Sequence, residues 1–453
     1  MEQKKRKAAL HNLGCKVNAY ETEAMGQLLE EHGYELVPFE EKADVYLINT
    51  CSVTNMADRK SRQMLHRAKK QNPDAVIVAA GCYVQGSAKE ILERGDADLV
   101  IGNNQKARLP ELLKTFFEDP EPEQAVVDLS HASEYELMTL KRTAEHTRAF
   151  IKIQDGCNQF CSYCIIPYMR GRIRSRALPD ILSEVENLAA QGYKEVVLTG
   201  IHLSSYGKDF LEHPPAGLDG TALLEVIRSV AAIPGIARVR LGSLEPRIIT
   251  EEFAAAISEI PEFCPHFHLS LQSGCDLTLK RMNRHYTTAE YEAACALLRK
   301  YFKHPAITTD VIVGFPAETE EEFQITLSFL EKIGFYEMHI FKYSVRKGTK
   351  AAGMSGQVRE EIKTKRSHLA LALEKRLSEE FRSFYDGKET EILLEEIHEI
   401  EGKPYMVGFT REYVKAAVPI EGKTEEMLKP GMLLSVKLGG VLADGILRAE
   451  KTS

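Results

Sequence analysis

The sequence predicts an α/β protein of three consecutive parts: a doubly wound parallel sheet, a partial (β/α)6 barrel and a small antiparallel β-barrel. Two patterns predict this class. Short apolar runs alternate with amphipathic stretches through most of the chain, as in repeated β-α units. After Asp386-Gly387 the pattern changes to strand alternation with glycine-containing turns. With 453 residues the chain is also long enough for several separate cores.

The composition is that of an ordinary globular protein, with 27% charged and 44% apolar residues. No apolar run approaches the roughly 20 residues that cross a bilayer. The charged segment Met1 to Lys7 is not followed by the apolar region and cleavage site of a signal peptide. We therefore expect a cytoplasmic protein without a membrane partner. Nine cysteines, an odd number, favour metal ligation over disulfides. The net charge of -8 gives no overall sign of nucleic-acid binding.

The first domain, residues 1–118, contains four predicted β-α units. Strands are predicted over 8–13, 44–48, 75–80 and 99–101, and helical stretches over 20–32, 54–70, 87–93 and 105–116. The proline-bearing segment 118–123 indicates the end of this domain. We interpret residues 119–142 as a linker.

Each of the first three predicted strands is followed by a cysteine: Cys15, Cys51 and Cys82. Ligands of open parallel sheets bind at the carboxyl ends of the strands, so the three thiols are expected to meet there. The alternative is three structural cysteines, because free cysteine is often buried. Repetition at the same place in three consecutive units favours a shared metal site.

A second thiol triplet, Cys157, Cys161 and Cys164, has the spacing Cys-x3-Cys-x2-Cys in one short loop. Three thiolates on a cubane iron-sulfur cluster leave one iron open to a small molecule, as a catalytic zinc keeps one position free. A structural zinc knuckle completed by a distant His or Cys is the alternative, since thiolates suit both metals. The spacing therefore predicts a metal site of one of these two kinds.

The central part, residues 143–375, contains six predicted strands separated by helical stretches. These strands cover 149–153, 195–198, 238–241, 266–271, 306–313 and 337–343. Six parallel strands indicate a partial TIM-like barrel whose active face lies at the strand ends. Three further cysteines, Cys264, Cys275 and Cys295, have no ligand-like spacing and are interpreted as apolar fillers.

The loop Cys157 to Cys164, with Tyr163 before its last cysteine, resembles the cluster loop of radical S-adenosylmethionine (SAM) enzymes. This resemblance implies a 4Fe-4S cluster on the three cysteines, with SAM on the fourth iron. An electron from the cluster then splits SAM into methionine and a 5'-deoxyadenosyl radical. Strand-end segments also resemble that superfamily's SAM-side motifs, which makes Gly200, Ser243, Glu245, Gln272, Gly314 and Arg346 cofactor-binding candidates; simple strand-to-helix turns are the alternative.

The segments around Cys15, Cys51 and Cys82 are similar to the three cysteine motifs of the methylthiotransferase N-terminal domain. In that family they hold a second 4Fe-4S cluster. The chain thus resembles radical SAM methylthiotransferases, which use two SAM molecules to insert sulfur at a C–H bond and methylate it.

Within that family, the form Gly14 to Asn18 most resembles enzymes that act on N6-threonylcarbamoyladenosine at position 37 of tRNA, beside the anticodon, and give its 2-methylthio derivative. Isopentenyl-adenosine at that position, or an aspartate of a ribosomal protein, are the alternative substrates. The resemblance also implies an electron donor such as flavodoxin or ferredoxin, and a sulfur donor that it does not identify.

The last part, residues 376–450, resembles the TRAM domain of RNA-modifying enzymes. Its strands are predicted over 389–397, 405–409, 413–418, 433–438 and 441–446. An RNA-binding side would have to consist of Lys403, Arg411, Lys415, Lys429 and Lys437. The run Arg170 to Arg176, with four arginines in seven residues, is the best candidate for an RNA backbone contact near the active site.

Two other classes of function remain open. A non-enzymatic RNA-binding protein with two structural metal sites explains the thiols and the small barrel, but gives no reason for an open three-thiol site. An electron carrier explains the clusters, but leaves the large barrel without a purpose.

Overall fold

The structure is a computed structural model that describes residues 5–143, 147–211, 218–421, 428–443 and 445–452. It contains the three predicted parts. Among these residues, no helix has both the length and the apolar composition that a bilayer crossing requires.

The first part is a parallel sheet of six strands with helices on both faces. Its elements are β1 (Lys7–Asn12), α1 (Lys16–Glu31), β2 (Glu35–Val37), β3 (Val45–Thr50), α2 (Asn55–Gln71), β4 (Val76–Gly81), α3 (Cys82–Glu93), β5 (Leu99–Ile101), α4 (Leu109–Glu118) and β6 (Glu123–Ala125). The strand order is β2-β1-β3-β4-β5-β6. Alternate residues of β3 pack into two separate cores on opposite faces, which confirms the doubly wound prediction.

The strand order reverses between β1 and β3, because β1 leads to β2 on one side and β3 continues on the other. Crevices at such a switch point are the usual ligand sites of open parallel sheets. The sequence did not predict β2 and β6, which are edge strands of only three residues each.

Residues 119–142, predicted as a linker, lie against both neighbouring domains. Besides β6, the segment buries Met138 and Leu140 in the core beside α1. Tyr20 of α1 donates its hydroxyl to Met138 O at 2.5 Å, and the Leu140 amide donates to Glu184 Oε1 at 2.7 Å. The segment therefore connects the first domain to the central barrel by specific contacts.

The central part follows the predicted β-α order. Its elements are β7 (Arg148–Asp155), α5 (Ile166–Arg170), β8 (Arg174–Ser175), α6 (Leu178–Ala190), β9 (Glu195–Gly200), α7 (Thr221–Ala231), β10 (Arg238–Leu241), β11 (Ser243–Leu244), α8 (Glu251–Ser258), β12 (His266–Leu269), α9 (Asp276–Arg281), α10 (Thr288–Tyr301), β13 (Ala306–Val313), α11 (Glu320–Ile333) and β14 (Glu337–Lys342). All six predicted strands are present.

These strands form an open barrel. Two sheets, β10-β9-β7-β8 and β11-β12-β13-β14, are joined by a bridge between Val239 and Phe263. No pairing joins β7 to β14 in the described part of the chain, so the barrel is partial, as predicted. The main core lies between the strands and their surrounding helices. Residues that alternate with this core along each strand face the barrel lumen.

A long helix, α12 (Glu360–Ser383), packs its residues Ala370 and Leu377 into the core of the central barrel and leads to the last part. The strands of the last part are β15 (Glu389–Ile400), β16 (Lys403–Phe409), β17 (Lys415–Pro419), β18 (Leu433–Ala443) and β19 (Ile446–Lys451). The five strands close into a barrel in the order β15-β16-β17-β19-β18. The predicted small barrel is confirmed, although the pair β17 and β19 is parallel. Its assignment as a TRAM domain stays a prediction.

The turn between β16 and β17 packs against the amino-terminal end of the central barrel's strands. Tyr413 in this turn lies between the guanidinium groups of Arg148 and Arg240, each 4.8 Å from its ring centroid. Arg411 donates to the carbonyl oxygens of Pro261 and Phe263. The expectation that Arg411 faces RNA is therefore wrong, because its guanidinium is used in domain docking. Of the other basic candidates, Lys403, Lys429 and Lys437 are exposed and Lys415 is half-buried.

Candidate active site

The first thiol triplet lies at the carboxyl ends of three adjacent strands. Cys15 follows β1 and precedes α1, Cys51 directly follows β3, and Cys82 is the first residue of α3 after β4. A Cβ added to Gly14 would lie 2.8 Å from Cys51 Sγ, and Gly14 has a φ of 107°. Only glycine fits this turn, which brings the backbone of the first motif against the thiol of the second. The structure thus brings the three predicted thiols to one site at the switch point.

A buried group of charges lies beside this triplet. Four cations and two carboxylates share it: Lys106, Lys152, Arg170 and Arg174 with Glu21 and Asp155. All six side chains are at most 5% exposed, so they are shielded from water. The excess positive charge needs anions nearby, because unpaired buried charges are costly. Deprotonated thiols of the adjacent triplet fit this requirement.

Arg170 connects this charged group to the thiols. Its Nε donates to Cys82 Sγ at 3.3 Å, and its Nη1 donates to Glu21 Oε1 at 2.9 Å and to Asp155 at 3.1 Å. Burial alone would raise the pKa of Glu21, but the charges of Arg170, Lys106 and Lys152 hold it well below its usual value. Because Glu21 belongs to α1 and Asp155 to β7, the group also joins the first domain to the barrel.

The prediction that the run Arg170 to Arg176 contacts RNA is wrong for three of its four arginines. Arg170, Arg174 and Arg176 are at most 1% exposed. Arg176 pairs with Glu184 of α6. Only Arg172 is exposed, and its guanidinium lies 4.8 Å from the ring of Phe160. The sequence shows the charges but not the carboxylates that fold against them, which belong to other elements: Glu21 to α1, Asp155 to β7 and Glu184 to α6.

The second triplet occupies the loop after β7. Gly156 has a φ of 72°, and a Cβ there would lie 1.8 Å from Arg172 O, so the loop can close only with glycine. The Cys157 amide donates to Gly171 O at 3.0 Å, and the Gln159 amide donates to Cys157 Sγ at 3.5 Å. From the other side, Arg284 Nη1 donates to Cys161 Sγ at 3.2 Å.

Both triplets are suited to hold a metal centre as thiolates. Burial raises the pKa of Cys51 to about 11 and of Cys157 to about 12, so without a metal these thiols stay protonated. A metal cluster deprotonates its cysteine ligands, and Arg170 and Arg284 supply hydrogen bonds to the resulting charge. The residues present thus fit an anionic thiolate cluster at each site. The ligand roles of the six cysteines stay a prediction.

All six predicted SAM-binding residues lie at or just beyond the carboxyl ends of barrel strands, at the same end as the Cys157 loop. Gly200 ends β9, Ser243 and Glu245 lie in and after β11, and Gln272, Gly314 and Arg346 follow β12, β13 and β14. Their contact with SAM stays a prediction.

Glu245 is the most informative of these residues because it is nearly fully buried. Its Oε2 accepts hydrogen bonds from Gln159 and His202, both at 3.2 Å. Its Oε1 is also buried and has no hydrogen-bond partner among the described residues. Burial alone would raise the pKa of Glu245, but the bond from His202 and the charges of His202 and Arg284 lower it. Oε1 lies 3.9 Å from Arg284 Nη2, so beside the Cys157 loop it is ion-paired but accepts no hydrogen bond from the described residues.

Two of the predicted SAM contacts are engaged elsewhere in the fold. The Gly314 amide donates to Glu318 Oε2 at 2.6 Å. Arg346 donates from Nη1 to Asn55 Oδ1 at 3.0 Å and from Nη2 to Ser52 Oγ at 2.8 Å, and it pairs with Asp58. Because Ser52 follows Cys51, Arg346 links the end of β14 to the first thiol triplet.

Comparisons with known proteins agree with this geometry. Residues 7–102 match the model of uncharacterized protein family UPF0004, and residues 151–330 match the radical SAM superfamily. The fold is similar to the radical SAM methyltransferase TsrM from Kitasatospora setae, with a TM-score of 0.55, 16% identity, and 75% of this chain and 72% of that chain covered.

Three relatives are similar in sequence over most of the chain. Threonylcarbamoyladenosine tRNA methylthiotransferase MtaB of Bacillus subtilis is 42% identical, covering 95% of this chain and 93% of its own length. The chain belongs to the radical SAM methylthiotransferase family. The MtaB protein of Aquifex aeolicus is 40% identical over 86% of this chain and 92% of its own. The tRNA-2-methylthio-N(6)-dimethylallyladenosine synthase of Acetivibrio thermocellus is 37% identical over 90% and 84%.

Membership of this family confirms that the chain is an enzyme and that iron-sulfur clusters and SAM are its cofactors. The non-enzymatic RNA-binding protein and the electron carrier are not favoured.

Several residues around the two triplets escaped the sequence analysis. Arg284 bonds Cys161 Sγ, and Asn103 donates to Cys82 Sγ at 3.5 Å and to Met169 O at 2.9 Å. Gln159 could have been noticed, because it lies inside the Cys157 loop. Asn103 could also have been noticed, because it follows β5 at the same edge of the sheet as the first thiol triplet. Arg284 carries no local signal, since it lies 123 residues from Cys161 in sequence.

Proposed function

We propose that this enzyme converts N6-threonylcarbamoyladenosine at position 37 of tRNA to its 2-methylthio derivative. Cys157, Cys161 and Cys164 hold the radical-forming cluster, and Cys15, Cys51 and Cys82 hold the auxiliary one. The observation that carries this proposal is the arrangement of two open three-thiol sites on one domain interface. Arg170, the last residue of the helix α5 that follows the Cys157 loop, donates a hydrogen bond to Cys82 Sγ of the other triplet.

When bound, the clusters and SAM supply the electron, the hydrogen-abstracting radical and the methylated sulfur of the reaction. The chain positions and shields them. Hydrogen bonds from Arg170 and Arg284 to thiolate sulfurs adjust the reduction potentials of the two sites separately. Glu245 Oε1, which accepts no hydrogen bond from the described residues, would be available to bind SAM next to the Cys157 loop.

Domain docking keeps the two sites at a fixed separation. The charges around Glu21 and the contacts of Arg346 to Ser52 and Asp58 hold the first domain against the barrel. Such a fixed distance is needed because the carbon radical formed at one site must react at the other before water or another group quenches it.

The tRNA substrate is supported by the relatives named for tRNA modification. The threonylcarbamoyl substrate is supported by identities of 42% and 40% to two MtaB proteins, against 37% to the dimethylallyladenosine synthase of Acetivibrio thermocellus; two further MtaB proteins are 36% identical. Such a reaction takes place in the cytoplasm, with flavodoxin or ferredoxin as electron donor. The sulfur donor is unidentified.

The proposal is tested by analysing tRNA nucleosides from a strain that lacks this gene. We expect loss of the 2-methylthio form of threonylcarbamoyladenosine, restored by the wild-type gene. Loss of the 2-methylthio form of isopentenyl-adenosine instead, with the threonylcarbamoyl product intact, would contradict the substrate. A Cys51→Ala variant should still cleave SAM and fail to restore the product, whereas Cys295→Ala, on the buried face of α10, should restore it.

A further inference from the structure

Lys16 is the first residue of α1 and directly follows Cys15. Its ammonium lies 5.7 Å from the ring centroid of Phe150 in β7. Ala149 and Ile151, on either side of Phe150, pack into the core between the strands and the helices. Phe150 therefore faces the barrel lumen, since neighbouring side chains of a strand point to opposite faces. The side chain of Lys16 thus reaches from the first thiol triplet into the lumen.

The opposite wall of the lumen is polar and open to water. His268 of β12 and His339 of β14 lie 3.3 Å and 3.0 Å from the two oxygens of Asp310 in β13. Phe341, two residues beyond His339 on the same face, is 46% exposed. Each oxygen of the Asp310 carboxylate is thus already paired with an imidazole.

Lys16 has no anionic partner of its own. No carboxylate of the described residues forms an ion pair with its ammonium. The nearby Glu195 is taken by Arg240, whose Nε donates to Glu195 Oε1 at 2.8 Å. The lumen therefore has a cation in place for a ligand with negative charge.

We propose that Lys16 determines the choice of substrate by binding the carboxylate of the N6 substituent of the modified adenosine. This inference rests on the proposed function. The reacting carbon of the adenine, C2, must lie beside the thiol triplet that includes Cys15. C6, which carries the N6 substituent, is two bonds away from C2 in the same ring. A substituent on N6 therefore extends into the lumen next to Lys16.

The N6 substituents of the two tRNA substrates named for the relatives differ in charge. A threonylcarbamoyl group ends in a carboxylate and a hydroxyl, which can pair with the ammonium and with the polar opposite wall. A dimethylallyl group carries no charge, so it would desolvate the ammonium without giving it a partner, which costs free energy. Lys16 thus favours the charged substituent and works against the apolar one.

The test combines a protein variant with a substrate variant. The enzyme, loaded with its clusters, is assayed on tRNA that carries threonylcarbamoyladenosine and on the same tRNA with that carboxylate as its methyl ester. Wild type is compared with Lys16→Met, with Lys16→Arg, and with the control Lys114→Met, an exposed lysine of α4. Iron content and 5'-deoxyadenosine are measured in the same tubes.

On the carboxylate substrate, Lys16→Met should lower kcat/KM by roughly 10- to 100-fold, as expected for the loss of a charged hydrogen bond. Lys16→Arg should recover most of this loss, and Lys114→Met should match wild type. On the methyl ester, wild type and Lys16→Met should differ by less than about twofold, because the partner is already missing.

Other outcomes overturn the inference. If Lys16→Met loses the same factor on both substrates, or if it loses iron, Lys16 supports the cluster site and not the substrate. If it keeps wild-type kcat/KM on the carboxylate substrate, Lys16 has no part in selection. Failure of the proposed function is distinguishable, because wild type itself would then give no 2-methylthio product from threonylcarbamoyladenosine.

Discussion

Replacement of Arg170 by methionine tests the buried charges that join the two thiol sites. Arg170 is fully buried and donates to Glu21, Asp155, Asn18 and Cys82 Sγ. Methionine keeps much of the volume and removes the charge and all of these hydrogen bonds. Glu21 and Asp155 would then face each other with fewer cations, in a place that water does not reach.

Breaking a buried ion pair by removing one partner costs about 3–5 kcal/mol. For a domain of about 150–250 residues, each kcal/mol lowers the melting temperature by about 2–4 °C, so we expect a decrease of about 6–20 °C. Arg170→Lys, which keeps the charge and loses the planar fork, should fall between the variant and wild type. Loss of the donor to Cys82 should also weaken iron retention at the first triplet.

The sequence provides a matched control two residues away. Arg172 belongs to the same run but is exposed, so Arg172→Met should change stability by no more than about 0.5 kcal/mol. Thermal unfolding of the variants is followed anaerobically by circular dichroism, together with iron content. Equal melting temperatures for Arg170→Met and Arg172→Met would refute the account of Arg170 as the centre of a buried network.

Three further variants test other parts of the structure. Gly156→Ala places a Cβ 1.8 Å from Arg172 O, so this variant should lose about half of the iron and all SAM cleavage. The control Gly192→Ala also has a positive φ, 95°, but nothing lies within 4 Å of its Cβ, so it should keep both. Equal iron content and SAM cleavage in the two variants would contradict the loop geometry. Asp310 raises the pKa of His339 through a hydrogen bond, so this pair stabilises the fold fully below about pH 6.5 and less as pH rises through the folded pKa. Above about pH 6.5, the melting temperature of His339→Gln should therefore change less with pH than that of wild type. The same pH dependence in both proteins would show that the His339–Asp310 pair does not stabilise the fold. Tyr413→Ala removes the ring between Arg148 and Arg240 and should speed proteolytic cleavage between α12 and β15, unlike Lys403→Ala. Equal cleavage rates would show that Tyr413 does not hold the C-terminal barrel.

Much of the fold follows from local patterns in the sequence. The six barrel strands and the four main strands of the first sheet appear as short apolar runs, so the sequence predicts their positions closely; β3 and β4 are buried on both faces. The thiols could be found because each of Cys15, Cys51 and Cys82 follows such a strand. The short strands β2 and β6 escaped, because three residues at a sheet edge carry no periodic signal.

The rest depends on contacts between distant parts of the chain. The sequence cannot show that Arg170 and Arg174 are buried, because Glu21, which pairs with Arg170, lies in another domain, and Asp155, which pairs with both, lies in another element. Arg411 was expected on an RNA-binding side for the same reason, since nothing near it reveals the barrel carbonyls that it contacts. Charge runs are ambiguous in sequence whenever burial is decided by domain docking.

The measurement that tests the central claim most directly is made without oxygen, on wild type and Cys157→Ala. Iron, sulfide and the 5'-deoxyadenosine formed from SAM with dithionite are determined in the same tubes. Two clusters with separate roles require about eight irons per wild-type chain, and we expect Cys157→Ala to lose about half of them and all SAM cleavage. Wild type that holds zinc in place of iron, or that binds iron and cleaves no SAM, would contradict the account.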